Sequence, residues 1–233
     1  MEIDLNCDLG EGFPYDTELA PLVTSANVAC GGHAGDLTSI GLTLRAAAKH
    51  GVQVGAHPGF LDREHFGRRE LSLPEKDVLE LCRTQIAYLK SQAAMVGVTV
   101  RYVKPHGALY NLAFANDQYA RPVIEAAAAF GLAVVGLPGS RLQALAAGRC
   151  PYVIEGFADR RYLDDGTLVP RSRPDAFVET PEEAVRQAHW LIRDKGVQTL
   201  CVHGDNPLAV KLVKALRQDL EQKGYEIRSF PVS

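Results

Sequence analysis

The chain has 233 residues, 46% of them hydrophobic, and a formal net charge of −3, so it can bury a full core and suits one α/β barrel or two small domains. Proteins that bind nucleic acids or membrane surfaces carry clustered positive charge, and this slightly acidic chain lacks it. We therefore expect neither a nucleic acid nor a membrane as a partner. Its five scattered cysteines form no CxxC pair, which argues against a disulfide scaffold and favours reduced thiols in the cytoplasm.

The N-terminus enters a strand pattern by residue 3 without the basic and apolar regions of a signal peptide, so we expect none. Strand-like runs then follow at about 2–6, 25–29, 52–56, 100–104, 132–136, 152–156 and 198–202. Helix-like segments lie between most of them, at about 37–50, 75–96, 117–130, 140–148, 181–195 and 207–223. Repeated strand–helix units predict a parallel sheet wrapped by helices, and no linker divides residues 1–233, so we predict a single domain.

Polar side chains on one face of several strands distinguish between two parallel-sheet folds. Because side chains alternate along a strand, Asp4, Asn6 and Asp8 share one face of the first strand. Lys104 and His106 share a face of the fourth. A doubly wound sheet is usually apolar on both faces, since helices cover both. The pattern therefore favours a closed, TIM-like (β/α) barrel with a polar interior.

Ionisable side chains also cluster at one end of the strands. Asp8, His33, His57, His106 and His203 each lie at or just after the C-terminal end of a predicted strand. The active site of parallel barrels lies at this end, where the βα loops meet. A single histidine at a strand end is as often structural as functional, but the repetition over several strands predicts a site at this rim.

Further residues have competing interpretations. Lys104 lies in an otherwise apolar strand, where lysine is rare unless paired or catalytic, and Glu155 is a candidate partner. Asp36 is better explained as the N-cap of the helix at 37–50 than as a ligand. His189 lies within a helix, and we assign it no role.

Two long loops, residues 58–73 and 157–174, carry most of the arginines near the rim. Asp165 and Gly166 predict a hairpin turn in the second loop. Long loops at a barrel mouth are often lids, and arginines such as Arg160 and Arg171 suit carboxylates and phosphates. The alternative is a rigid surface hairpin whose arginines pair with neighbouring aspartates. The chain has no GxxxxGK[ST] phosphate-binding loop.

Several motifs together resemble one known family over nearly the whole chain: IDLNCDLGEGF, NVACGGHAGD, GAHPGF, FGRR, VKPHGALYN, EGFADRRY, DGTLVPRS and CVHGDNP. They resemble the LamB/YcsF family, the 5-oxoprolinase A subunits. The resemblance implies a seven-stranded (β/α) barrel related to glycoside hydrolase and polysaccharide deacetylase barrels. It also implies ATP-dependent opening of 5-oxoproline to glutamate, with release of ADP and phosphate, in a complex with subunits B and C. The deacetylase metal triad cannot be carried over by position, because the chain has no HxxxH pair.

Opening a lactam needs a base for water, cations near the oxygens and an anchor for the substrate carboxylate. We predict Asp8, His57, Lys104 and His106 as catalytic residues, and ATP with Mg²⁺ as cofactor. Candidate substrate- or nucleotide-binding residues are Asn6, Glu11, His33, Asp36, Glu155, Arg160, Arg171, His203 and Asp205.

Two alternatives stay open. One is a metal-dependent amide or acetyl hydrolase, with Asp8, His33 and His57 as candidate ligands. The other is a non-catalytic subunit that only binds substrate for its partners.

Overall fold

The computed structural model describes residues 1–232. Its strands are β1 (Glu2–Leu9), β2 (Ser25–Ala29), β3 (Gln53–His57), β4 (Val100–Val103), β5 (Ala133–Gly136), β6 (Tyr152–Phe157), β7 (Thr199–His203) and β8 (Glu226–Ile227). Its helices are α1 (Asp16–Leu19), α2 (Leu37–His50), α3 (Glu75–Ala94), α4 (Gly107–Ala115), α5 (Asp117–Ala129), α6 (Arg141–Ala146), α7 (Pro181–Lys195) and α8 (Ala209–Gln222). All the predicted strands and helices are present, and the predictions missed α1, α4 and β8.

Strands β1 to β7 form a closed parallel barrel, which confirms the predicted fold class. Their order is β2-β3-β4-β5-β6-β7-β1, and β1 pairs in parallel with β2 as well as with β7, which closes the ring. The register places Asp8 beside Asn27 of β2 and beside His203 of β7. Strand β8 pairs with the start of β1, at Glu2 and Ile3, before β7 begins to pair there.

The two faces of β1 show how the barrel is filled. Ile3 and Leu5 belong to the large apolar core between the strands and the surrounding helices. Asp4, Asn6 and Asp8 are equally buried, and Asn6 contacts side chains of β2, β6 and β7 and that of Lys104, which follows β4. Contacts with strands across the ring require these side chains to point inward. The barrel interior is therefore polar, as the strand pattern predicts.

The N-terminal end of the barrel is closed by aromatic packing. Tyr102 of β4 crosses the interior, donates a hydrogen bond from its hydroxyl to Oδ1 of Asn27 at 2.8 Å, and packs against Phe230 with ring centroids 5.1 Å apart. Gly55 of β3 makes room for it, because a Cβ at this position would lie 2.1 Å from the Tyr102 ring. Solvent access is thus directed to the opposite, C-terminal end.

Local signals explain where several elements begin and end. Asp36 caps α2: its side chain accepts from the backbone N–H of Ser39, and the Ser39 hydroxyl accepts from the backbone N–H of Asp36. Thr180 caps α7 through its side chain, which accepts from the backbone N–H of Glu183, and Gly196 ends that helix in the left-handed conformation. No helix of residues 1–232 has the length and apolar character that a membrane crossing requires.

The long loop between β6 and α7 folds back on itself at the barrel mouth. Tyr162 pairs with Leu168 in an antiparallel bridge, and Thr167 donates to the Asp165 side chain from both its backbone N–H and its hydroxyl. Gly166 has a φ of 85°, which suits glycine in a tight turn. The predicted hairpin turn is confirmed.

Candidate functional site

A cavity of about 470 Å³ opens at the C-terminal end of the barrel. Asp8, His57, Lys104, His106 and His203 line its inner end. The outer part is lined by α4 and the hairpin, with Tyr110 and Phe114 on one side and Leu168 and Pro170 on the other. Four of the five predicted rim residues therefore meet at one cavity, and the fifth, His33, is not among the residues that line it.

Lys104 is the buried cation at the centre of this site. Its Nζ lies 3.0 Å from Oδ1 of Asp8, 2.8 Å from Oε1 of Glu155 and 3.1 Å from Sγ of Cys201. Burial works against the charged ammonium, but the negative charge of Asp8 above all keeps the pKa of Lys104 well above its usual value. The interpretation that Lys104 pairs with Glu155 is confirmed.

Asp8 is held as a carboxylate that faces the histidines. Oδ1 accepts hydrogen bonds from Asn27 Nδ2 at 2.7 Å and from Lys104, while Oδ2 lies 3.5 Å from His57 Nε2 and 3.9 Å from His203 Nε2. Burial raises the pKa of Asp8, but Lys104 and then His57 outweigh it and hold the pKa well below its usual value. One oxygen is thus fixed in the interior, and the other is directed at two imidazoles.

His57 and His106 direct one ring nitrogen each at the other. His57 Nδ1 lies 2.7 Å from the carbonyl oxygen of Lys104, and His106 Nε2 lies 2.9 Å from that of Phe66. A carbonyl oxygen only accepts, so each ring donates an N–H there, and in the neutral form of each ring the other nitrogen is a lone pair. Those other nitrogens, His57 Nε2 and His106 Nδ1, are 2.9 Å apart. Two facing lone pairs at this distance need a proton or a cation between them.

Glu11 and His33 complete a cluster of metal-ligand type. Oε1 of Glu11 lies 3.1 Å from His33 Nε2 and 3.3 Å from His106 Nδ1, and ligand atoms of Glu11, His33, His57 and His106 all lie within 4.8 Å of one another. None of the described residues 1–232 forms a hydrogen bond with the buried Nδ1 of His33. Burial lowers the pKa of His33 and of His106 well below their usual values, so both rings are neutral, the form that binds metals.

Glycines let the chain close around His33. A Cβ at Gly59 would lie 2.7 Å from His33 Nδ1, and a Cβ at Gly67 would lie 2.6 Å from the His33 Cβ. A Cβ at Gly32 would lie 2.6 Å from the side chain of Gln85. Gly59 and Gly67 of the β3–α3 loop thus allow the backbone to approach the His33 side chain closely, while Gly32 leaves room for the side chain of Gln85.

His203 stands on the other side of Asp8 and has its own carboxylate partner. Its Nδ1 lies 3.0 Å from Asp159 Oδ1, and its backbone N–H donates to Asp159 Oδ2 at 3.0 Å. Burial raises the pKa of Asp159, but His203 outweighs it and brings the pKa to about 2. An ionised Asp159 holds the Nδ1 proton of His203, which leaves Nε2 directed at Asp8 and the cavity.

The remaining predicted residues divide into three places. Asn6 and Glu155 lie inside the barrel beneath Lys104 and hydrogen-bond to each other at 3.2 Å. Asp205 lies at the mouth, where Arg171 Nη1 approaches its Oδ2 at 3.5 Å. Asp36 is the helix cap described above, exposed and outside the cavity lining.

Arg160 is anchored within the hairpin. Its Nε donates to the carbonyl oxygen of Ala176 at 3.2 Å and its Nη2 to that of Val169 at 2.6 Å. Closure of the hairpin over a ligand stays a prediction.

Sequence reasoning missed Asp159 and Arg68 at the site. Asp159 follows the end of β6, the same position relative to a strand that singled out the histidines.

The chain is similar to proteins of known family along its whole length. The LamB/YcsF family model matches residues 3–233. A protein named as the A subunit of 5-oxoprolinase from Neisseria meningitidis serogroup C is 42% identical over 97% of this chain and 98% of its own. The protein of that name from Pyrococcus furiosus is 43% identical over 97% of each.

Two solved structures bear on the fold. The crystal structure of the lactam utilization protein from Thermus thermophilus superposes with a TM-score of 0.91 at 40% identity, covering 99% of this chain and all (100%) of that one. A family 4 carbohydrate esterase from Streptomyces lividans, in complex with acetate, superposes with a TM-score of 0.57 at 12% identity, covering 99% of this chain and 93% of that one. The second likeness concerns the fold alone.

Proposed function

The chain belongs to the LamB/YcsF family, and from this premise we propose that it is the A subunit of a 5-oxoprolinase. The complex would hydrolyse 5-oxo-L-proline to L-glutamate, coupled to hydrolysis of ATP to ADP and phosphate, together with subunits B and C. The names of the relatives and of the lactam utilization protein support the cyclic-amide substrate. The observation that carries the proposal is the cavity, whose inner end brings Asp8, His57 and His203 together around one small space.

The proposed reaction has a clear balance. A lactam carbonyl is a poor electrophile because its nitrogen donates into it. Transfer of a phosphoryl group from ATP to the lactam oxygen, with Mg²⁺ on the nucleotide, would turn that oxygen into part of a leaving group. Water then adds to that carbon, and the carbon–nitrogen bond breaks as the nitrogen takes up a proton, which leaves the carbon as an acyl phosphate. A second water hydrolyses the acyl phosphate to the carboxylate of glutamate and free phosphate. ADP, phosphate and glutamate are the products, and two waters are consumed. Since ATP is a cytoplasmic co-substrate, we place the complex in the cytoplasm.

Proton transfer suits the histidines better than Lys104. The Nζ of Lys104 is already surrounded by Asp8, Glu155 and Cys201, so we assign it the positioning of the Asp8 carboxylate. His57 has a lone pair beside Asp8 and would take a proton from the attacking water. His203, oriented by Asp159, would deliver a proton to the departing nitrogen. We further propose that residues 1–233 form one barrel domain, since β8 pairs back onto β1.

The test measures 5-oxoproline-dependent release of ADP by the complex assembled with subunits B and C. Asp8→Asn and His57→Ala should each lower turnover by about 10²- to 10⁴-fold, the usual loss on removing a proton-transfer group. His189→Ala is the control, because this residue pairs with Asp219 between α7 and α8, away from the cavity. The isolated chain should show little ATP turnover. Wild-type turnover in either Asp8→Asn or His57→Ala contradicts the assignment of that residue.

A second function, metal-assisted hydrolysis, is favoured by the histidine cluster. A ligand distance of 2.0–2.1 Å for histidine allows two nitrogens on one ion to be at most about 4.2 Å apart. His57 Nε2 and His106 Nδ1 are 2.9 Å apart, and Glu11 Oε1 is 3.3 Å from the latter. A proton between the two nitrogens would satisfy that pair alone, whereas a divalent cation would bind both nitrogens and the Glu11 carboxylate as well. The carbonyls of Lys104 and Phe66 fix the two tautomers, as partners of metal-binding histidines do.

Glu11, His33, His57 and His106 would hold the ion in this second function. A divalent ion there would polarise the amide carbonyl and lower the pKa of a bound water. The readout is metal per chain, measured by mass spectrometry after dialysis against Zn²⁺ and then buffer. We expect about one ion in the wild type and loss of most of it in Glu11→Gln and His106→Ala. His65→Ala, in the same β3–α3 loop but paired with Asp62, should keep its ion. A wild type without bound metal refutes this centre.

A further inference from the structure

Two arginines from different loops share one carboxylate oxygen at the mouth of the cavity. Arg68 lies in the β3–α3 loop, Arg171 follows the hairpin, and Asp205 lies in the β7–α8 loop. Nη2 of Arg68 and Nη1 of Arg171 both approach Oδ2 of Asp205, the second at 3.5 Å. Both arginines line the cavity, and their side chains are 35% and 26% exposed. The pair is thus accessible to a ligand that enters the cavity.

Most of the hydrogen-bonding capacity of these two guanidinium groups is unused. Each has five N–H bonds. Within residues 1–232, the bond to Asp205 is the one hydrogen bond that either group makes to the protein. Each guanidinium group packs against an aromatic ring instead. The Cζ of Arg68 lies 4.8 Å from the ring centroid of Phe66, and the Cζ of Arg171 lies 5.3 Å from that of Phe177. The groups are therefore held in place with N–H bonds free for a planar anion.

Three guanidinium groups lie close together at this mouth. Arg160, a third guanidinium in the cavity lining, binds backbone carbonyls and has no carboxylate partner within hydrogen-bond distance in the described part of the chain. Burial and then the charge of Arg171 lower the pKa of Arg160 to about 10, and burial and then Arg68 lower the pKa of Arg171. Asp205 and Asp159 carry negative charge beside them and offset part of this effect. An anion bound here would relieve a repulsion that already exists.

The inner end of the cavity has the opposite character. The Lys104 ammonium there is already paired with Asp8 and Glu155. The second oxygen of Asp8 faces His57 and His203, and the buried carboxyl of Glu11 lies beside His106. A ligand carboxylate placed against Asp8 would meet like charge. An anionic lactam must therefore enter with its ring amide toward Asp8 and its carboxylate toward the arginines.

We propose that Arg68 and Arg171 form the carboxylate-binding subsite for the lactam acid, and that they select 5-oxoproline against neutral lactams. This inference rests on the proposed lactam substrate. The ligand class is a small planar carboxylate on a cyclic amide, held by charge-assisted hydrogen bonds from both guanidinium groups. Arg68 thereby joins the site as a specificity-determining residue.

The test is calorimetric titration of the full-length chain with 5-oxo-L-proline, 2-pyrrolidinone (the same ring without the carboxylate) and inorganic phosphate. The wild type should bind 5-oxoproline at least about tenfold more tightly than 2-pyrrolidinone. Arg68→Met and Arg171→Met should each weaken binding of 5-oxoproline about ten- to a hundredfold and leave 2-pyrrolidinone unchanged. Arg69→Met and Arg173→Met are matched controls, because these neighbours in the same segments pair with Asp62 and Asp175 outside the cavity lining.

Four results overturn the subsite. In the first, Arg68→Met and Arg171→Met both bind 5-oxoproline as tightly as the wild type does; in the second, they lose equal affinity for 5-oxoproline and 2-pyrrolidinone. In the third, the variants lose phosphate binding but discriminate between the two lactams as the wild type does. In the fourth, the wild type binds neither lactam. The proposed function fails separately, when the wild-type complex opens no 5-oxoproline although the chain still discriminates between the two lactams.

Discussion

Replacing Lys104 with methionine tests whether the buried charges hold the barrel together. Lys104 is fully buried between Asp8 at 3.0 Å and Glu155 at 2.8 Å, and methionine, one heavy atom shorter, keeps most of its length without its charge. The variant leaves two carboxylates buried without their cation. Removing one partner of a buried ion pair costs about 3–5 kcal/mol, because the remaining charge is not solvated. This is a large part of the roughly 5–15 kcal/mol that stabilises a typical domain.

A second substitution separates charge from packing. In Lys104→Met with Glu155→Gln, one of the two uncompensated charges is gone, while Glu155 keeps an oxygen for Asn6, 3.2 Å away in the wild type. We expect the double variant to regain about 2 kcal/mol or more relative to Lys104→Met, roughly half of the loss. If the loss came from a packing defect at residue 104, the second substitution would restore nothing.

The assay is urea unfolding at pH 7.5, followed by the fluorescence of Trp190 and by circular dichroism. Lys214→Met, at an exposed position of α8, is the matched control and should stay within about 0.5 kcal/mol of the wild type. The denaturant slope should not change, so that midpoints report stability. A Lys104→Met protein within about 1 kcal/mol of the wild type, or a double variant no more stable than the single one, refutes the reasoning.

Two further predictions concern stability against pH and the position of Asp8. Burial raises the pKa of Asp4 from 3.8 to about 6, so the folded state binds this proton more tightly than the unfolded state does. The folded state therefore loses stability as the pH rises from about 4 to about 6. At 1.4 kcal/mol per pH unit the loss is about 3 kcal/mol. Asp4→Asn should therefore gain stability relative to the wild type between pH 4 and 7.5 in urea unfolding, and a difference that does not vary with pH contradicts this. A Cβ on Gly204 would lie 2.1 Å from the carbonyl oxygen of Asp8, so Gly204→Ala should displace Asp8 and lower turnover of the assembled complex at least about tenfold. Gly41→Ala, whose Cβ meets the flexible end of Arg45, should turn over as the wild type does.

The sequence predicts the barrel and its rim because both follow from local patterns. Alternation along β1 places Asp4, Asn6 and Asp8 on one face, and that face is the barrel interior. A lysine in an apolar strand requires a partner, and Glu155 is that partner. By contrast, α4 was missed because GALYNLAFA is apolar on nearly every side and carries no amphipathic period.

The composition of the site depends on loop closure, which local patterns do not encode. Glu11, His33 and His106 meet because the β3–α3 loop folds across the mouth, where Gly67 packs against His33 and the Phe66 carbonyl contacts His106. The sequence of that loop contains several arginines, and nothing in the sequence distinguishes which of them lies at the cavity. Only the fold shows that Arg68 reaches Asp205, some 137 residues away in the chain.

The charged residues inside the barrel lie on or next to its strands, whereas the arginines at the cavity mouth lie on loops. We therefore expect substitutions in the two places to have different effects. Lys104 of the segment after β4 contacts Asp8 on β1, Glu155 on β6 and Cys201 on β7, so the inner end is tied to the barrel itself. The arginines at the mouth stand on loops and are joined through Asp205. Substitutions at the inner end should therefore change the rate of lactam opening and stability together. Substitutions at the mouth should change ligand affinity while the free energy of unfolding stays near that of the wild type, because surface-loop side chains contribute little to it.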